Sequence, residues 1–230
     1  TEAGELLSRL NQHWFETVPR AFKRRPVTGR CEVAATLTDI HRAIGGRVAS
    51  GPQKSWDYTR RDTEQLSVYG LVPADAREPD GFAAERWEML DDSASGFRVR
   101  RKGPGDRLNH LQLVGLKPPG APTFILCEVR WLVQAADGGL TCGVQALPGL
   151  AQPISARALD AEGENAEAYA PAFVLPASPG FEPSLVVPIG MFRDDRELQL
   201  QFGDQPKRVR LLTQIKQGLD YERVTFNVVA

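Results

Sequence analysis

Histidine, cysteine and methionine are scarce in this chain: three, three and two among 230 residues. Cys31, Cys127 and Cys142 form no C-x-x-C pair, and His13, His41 and His110 close no ligand spacing. The sequence therefore carries no metal site and no dithiol redox motif. Each cysteine sits in an apolar, strand-like stretch and reads as a buried free thiol, which suits a reducing cytoplasm. No apolar run approaches the roughly 20 residues of a membrane helix, so membrane insertion is not expected. There is no signal-peptide pattern. Phosphate-loop and nucleophile-elbow patterns are also missing. The carboxylates at 162–167 and 194–197 lie in turn-rich sequence, with nothing to mark them as a facing acid and base. The chain reads as a protein that is not an enzyme. Its net charge of −1 points away from a general nucleic-acid binder, so neither DNA nor RNA is expected as a partner. It opens on Thr1 rather than Met, which reads as a segment of a longer protein.

What is present is the composition of an ordinary folded protein, 42% hydrophobic and 25% charged, long enough for one large domain or two small ones. Leu6, Leu7, Leu10 and Trp14 fall near helical spacing, which predicts a helix over 1–16 that ends before Pro19. A basic segment, Arg20 to Arg30, reads as loop. Cys31 to Leu37 reads as a strand, after which Thr38 or Asp39 is placed to cap a helical turn through Ile44. Residues 45–83 read as a partly ordered insertion carrying Trp56, Tyr58 and Tyr69.

Beyond the insertion the alternation is clear. Glu85 to Leu90, Leu111 to Leu116, Thr123 to Val133 and Leu140 to Leu147 read as strands, with Trp87, Met89 and Trp131 on the apolar parity and Asp137-Gly138-Gly139 as a hairpin turn. After an acidic linker at 160–168, four more strands are expected between Ser184 and Val229. The fold class is mainly β, a closed antiparallel barrel or sandwich followed by a second small β unit over 160–230.

Two short motifs stand out. Arg20-Ala-Phe-Lys-Arg24 precedes the first strand, with Arg25 beside it, and Asp91-Asp92-Ser93-Ala94-Ser95-Gly96 follows a later one. Arginine pairs bind phosphate oxygens through planar forks and stack on flat rings. Asp91 offers a carboxylate to the N–H groups of a guanine edge, Ser93 a small hydroxyl, and Gly96 room for close approach. Basic arm and polar turn together suit an anionic ligand with a planar base. Arg60 with Arg61, or Arg100 with Arg101, are alternative basic pairs.

Arg20-x-x-x-Arg24 before a strand and Asp91-x-Ser93-x-x-Gly96 after another resemble the PilZ domain. Cys127-Glu-Val-Arg-Trp131 and Cys142-Gly-Val-Gln-Ala-Leu147 are similar to that family's late strands. The resemblance covers residues 17 to about 150. It implies a six-stranded barrel over 17–159 that binds cyclic di-GMP, with the insertion at 45–83. Arg20, Arg24 and Arg25 would hold phosphate and guanine, Asp91 and Ser93 would read a guanine edge, and Gly96 would shape the turn. The expected role is a cytoplasmic bacterial effector that passes nucleotide binding to a protein partner. The alternative is an interaction module of the same fold that binds no nucleotide.

Overall fold

The computed structural model describes residues 24–49, 84–159, 167–202 and 205–229. They form two closed six-stranded antiparallel barrels and one short helix. The expected N-terminal helix, Arg20, and nearly all of the 45–83 insertion with its Trp56, Tyr58 and Tyr69 lie outside the described residues. Among the described residues no helix is long and apolar enough to cross a membrane.

The first barrel comprises β1 (Arg25–Ala34), β2 (Glu85–Ser93), β3 (Gly96–Arg101), β4 (Leu113–Lys117), β5 (Ile125–Gln134) and β6 (Leu140–Ala146). They run in the order β1-β2-β3-β6-β5-β4, and β4 returns to pair with β1. Alternation fills the interior: Cys31, Val33, Trp87, Met89, Val99, Cys127, Val129, Cys142 and Val144 point inward and are almost fully buried. All three cysteines are free and buried, and burial raises each thiol, that of Cys31 to about 11. The helix α1 (Leu37–Ala43) follows β1. Its cap is Thr36, not Thr38 or Asp39: the Thr36 hydroxyl accepts from the Asp39 N–H at 3.1 Å and donates to the Asp39 carboxylate.

The second barrel comprises β7 (Gln152–Ala158), β8 (Ala170–Leu175), β9 (Ser184–Pro188), β10 (Glu197–Phe202), β11 (Gln205–Gln217) and β12 (Tyr221–Val228). Their order is β10-β11-β12-β9-β8-β7, closed by β7 on β10. The strand at 152–158 therefore belongs to this barrel, whereas the sequence reading divided the chain at 160. Small side chains, Ala156, Ala158, Ala170 and Ala172, line the interior of β7 and β8 opposite Leu198, Leu200, Val209 and Leu211.

A third apolar cluster lies outside both barrels and between them. Ala34, Ile40, Leu113, Phe124, Leu126 and Leu147 meet Phe173, Leu175, Val186 and Tyr221. Each fully buried Leu, Ile or Phe in such a layer contributes on the order of 1.5–3 kcal/mol. Polar contacts flank it. The Leu113 N–H donates to Asp220 Oδ1 at 2.9 Å, the Leu219 N–H to the Leu111 carbonyl at 2.9 Å, and His41 Nε2 to the Ile154 carbonyl at 2.8 Å. The Glu128 carboxylate, only 3% exposed, accepts from Tyr221 Oη at 2.7 Å, Lys216 Nζ at 2.6 Å and Arg130 Nη1 at 2.7 Å. Burial pushes Glu128 up, but the bonds from Lys216, Tyr221 and Arg130 outweigh it and hold the carboxyl below its usual range.

Asp220 behaves oppositely. Burial pushes it up to about 7 against the lowering effect of the Leu113 N–H. A carboxyl whose folded-state pKa lies above its unfolded value makes the protein lose stability as pH rises between the two. Urea titrations from pH 4 to 8 should therefore show wild type losing stability relative to Asp220→Asn up to about pH 7, with a flat difference above it. Asparagine keeps the acceptor for the Leu113 N–H, so a pH-independent difference would exclude this burial cost.

Candidate functional site

Three bulges decide which residues share the outer face of the first barrel. In β2 the pairing to β3 slips between Met89 and Asp91, leaving Leu90 as an extra residue. Strict alternation would turn Asp91 inward behind Trp87 and Met89. With the bulge, Asp91 pairs with Arg98 on the outside. A matching slip between Pro26 and Gly29 brings Pro26 opposite Asp91 and Arg25 opposite Asp92. The third bulge falls between Val129 and Trp131 in β5. It corrects the expectation that Trp131 is core: Arg130 and Trp131 both face out, and Trp131 is 37% exposed.

The resulting site is built around Asp91. Its side chain, 9% exposed, is ion-paired to Arg24 and, at 2.8 Å, to Arg98 Nε. Arg25 reaches Asp92 instead, at 3.2 Å, and is largely in solvent. Ser93 Oγ donates to the Gly96 carbonyl at 3.1 Å and closes the turn between β2 and β3. Gly96 is needed there for space rather than for φ: a Cβ would lie 2.2 Å from the Val144 carbonyl. The structure thus brings Arg24, Arg25, Asp91, Ser93 and Gly96 to one end of one barrel.

Two parallel rows extend this site across the barrel wall. One runs Ser93, Gly96, Gln145, Glu128 and Leu113 from strand to strand. The next runs Asp91, Arg98, Gly143 and Trp131. The Trp131 indole lies over Gly143, where a Cβ would meet Nε1 at 2.1 Å. A flat aromatic surface therefore stands beside Arg98 on the face that holds Asp91. Around this face are four cations, Arg24, Arg98, Arg130 and Lys216, against two buried carboxylates, Asp91 and Glu128. The cationic excess suits an anion, and the indole suits a planar ring.

The sequence reading missed Arg98, Gly143, Trp131 and Lys216. Arg98 was within reach of alternation, since it lies two residues from Gly96 on the same strand. Trp131 was not, because the bulge reverses its parity. The open cleft at the other end of the barrel, between Thr36, Asp39, Glu85, Trp87 and Arg101, has an acidic rim and stacks its one guanidinium on Trp87. Among the described residues no cluster of His, Cys, Asp and Glu could hold a metal ion.

Residues 154–229 match the family model for the FimW C-terminal beta-barrel domain, which spans the second barrel. No curated protein matches the chain. Among solved structures, the P2(1) crystal of K. pneumonia MrkH is similar at 7% identity and a TM-score of 0.23, over 64% of this chain and 74% of that one. MrkH from K. pneumonia in its apo state follows at 10% identity and 0.20, over 64% and 75%. MrkH described as a novel c-di-GMP dependence transcription regulatory factor gives 10% identity and 0.23, over 94% and 91%. That protein is described as a transcription regulatory factor, and the expectation that DNA is excluded as a partner is withdrawn. The exclusion rested on net charge, an average over the whole chain that does not decide what a local cationic face can bind.

The packing of Trp131 on Gly143 is directly testable. In 5-fluorotryptophan-labelled protein, Gly143→Ala should shift the Trp131 fluorine resonance and leave that of buried Trp87 in place, at a stability loss of roughly 1 kcal/mol. An unmoved Trp131 signal would mean the indole does not rest on this glycine.

Proposed function

We propose that the first barrel binds cyclic di-GMP on the face formed by Arg24, Asp91, Ser93, Arg98 and Trp131, and that the protein is a cytoplasmic effector rather than an enzyme. The observation that carries this reading is the double pairing of Asp91. A buried carboxylate stripped of its only partner is costly. Because Arg98 also holds Asp91, Arg24 can leave it for a ligand phosphate without orphaning the charge. Asp91 then keeps an acceptor lone pair for a guanine N–H, and Trp131 offers a stacking surface for a base. The PilZ resemblance of the two motifs supports the same ligand. Arg20, ahead of Arg24 in the motif, is the second arginine of the proposed arm. Binding would be read by a protein partner that recognises the occupied face.

Titration calorimetry with cyclic di-GMP tests the proposal. Wild type should bind, and Arg24→Ala should lose about 1.5–3 kcal/mol, about 10- to 150-fold in Kd, with the fold intact because Asp91 retains Arg98. Trp131→Ala should weaken binding by a comparable stacking increment of about 1–3 kcal/mol. No heat with the wild type at high nucleotide concentration rejects the ligand. Hydrolysis of the nucleotide by pure protein rejects the non-enzymatic role.

A further inference from the structure

The row that begins at the Ser93–Gly96 turn does not end inside the first barrel. It passes through Gln145 to Glu128, two strand spacings or roughly 10 Å from Gly96. At that point the second barrel reaches over: Lys216 on β11 and Tyr221 on β12 both end on the Glu128 carboxylate. Lys216 and Arg130 share one oxygen, Oε1, and Tyr221 takes the other. Two cations against one carboxylate leave a net positive charge at this point, which attracts a second anion while both stay on Glu128. Lys216 is the one of the two that comes from the second barrel; it lies on a paired strand opposite Arg223, and its side chain remains 36% exposed. Glu128 thus acts as a holder that keeps an ammonium group at the border of the anion-binding face.

We propose that the anion site is shared between the barrels, with Lys216 of the second barrel as a ligand contact to the phosphate-bearing side of the nucleotide. This rests on the nucleotide reading above and extends it from a single-barrel site to a junction site. The backbone supports the same coupling. The Ala146 N–H donates to the Ser95 carbonyl at 2.9 Å, so the turn is tied to the end of β6. The next residue, Leu147, is buried in the layer between the barrels.

Calorimetry with cyclic di-GMP on a set of full-chain variants separates the possibilities. Lys216→Ala should weaken binding at least 10-fold and Lys216→Arg should restore most of it. Lys207→Ala, at the other end of the same strand, should match wild type. Tyr221→Phe removes a hydrogen bond to Glu128 without removing charge, and should stay within about twofold. If Lys216→Ala binds as wild type does, the shared site is wrong and the single-barrel site stands. If Tyr221→Phe weakens binding as much as Lys216→Ala, Lys216 acts only by holding the junction, and the contact is rejected. If wild type gives no heat, the nucleotide reading fails and this role falls with it. Should Lys216→Ala unfold by circular dichroism, Lys216→Gln, which keeps a hydrogen bond to Glu128 but no charge, decides in its place by the same 10-fold criterion.

Discussion

The burial of Glu128 against the second barrel is the constraint on which the rest of the molecule depends. A carboxylate in an apolar layer is tolerated only if its lone pairs are filled, and here Tyr221, Lys216 and Arg130 fill them. Two of those donors come from the second barrel, so the first barrel cannot present this wall to solvent and keep the same arrangement. Around the carboxylate, Leu126, Leu113 and Ile40 pack on Phe173, Leu175 and Val186. The polar contact specifies orientation and the apolar layer supplies most of the attraction. The two barrels therefore behave as one wall with two interiors.

This shared wall limits where a binding site can lie. Both interiors are filled by side chains, as closed barrels of six strands require. Nothing the size of a nucleotide enters them, so a ligand of that size could be held only on the outside. Among the described residues the outside of the first barrel is divided by its neighbours: α1 covers part of it, the second barrel covers β4 and the start of β5, and the face from β2 across β3 to Trp131 remains. Arg24, Asp91, Arg98, Gly143 and Trp131 share that face because of bulges in β1, β2 and β5. A regular barrel of the same sequence would bury Asp91 among Trp87 and Met89, and would turn Trp131 into the core.

The β class, most strand positions and the hairpin at Asp137-Gly138-Gly139 were legible in the sequence, because alternation with period two survives in short strands. So was the Asp91–Gly96 turn, whose residue types suit a tight turn in any context. The partnership of Arg24 with Asp91 was open to sequence only through a resemblance, since 67 positions separate the two residues. Bulges were invisible: one extra residue leaves composition and hydrophobicity unchanged while reversing the parity of everything after it. The boundary near 160 followed the acidic composition there. The register instead assigns 152–158 to the second barrel, and strand pairing is a property of partners rather than of one segment.

By itself, then, the sequence determined a two-part β protein, and it placed an arginine arm and a polar turn beside strands. Those features are local, set by residue type and by short-range spacing. Only the tertiary structure decided that Arg98 shares Asp91 with Arg24, that Trp131 is a surface and not a core residue, and that Lys216 arrives at Glu128 from the other barrel. Each of these depends on closing a sheet and packing one barrel on another. Which side chains meet across strands is settled by register and closure, and these come from the summed hydrogen bonding and burial of the whole chain.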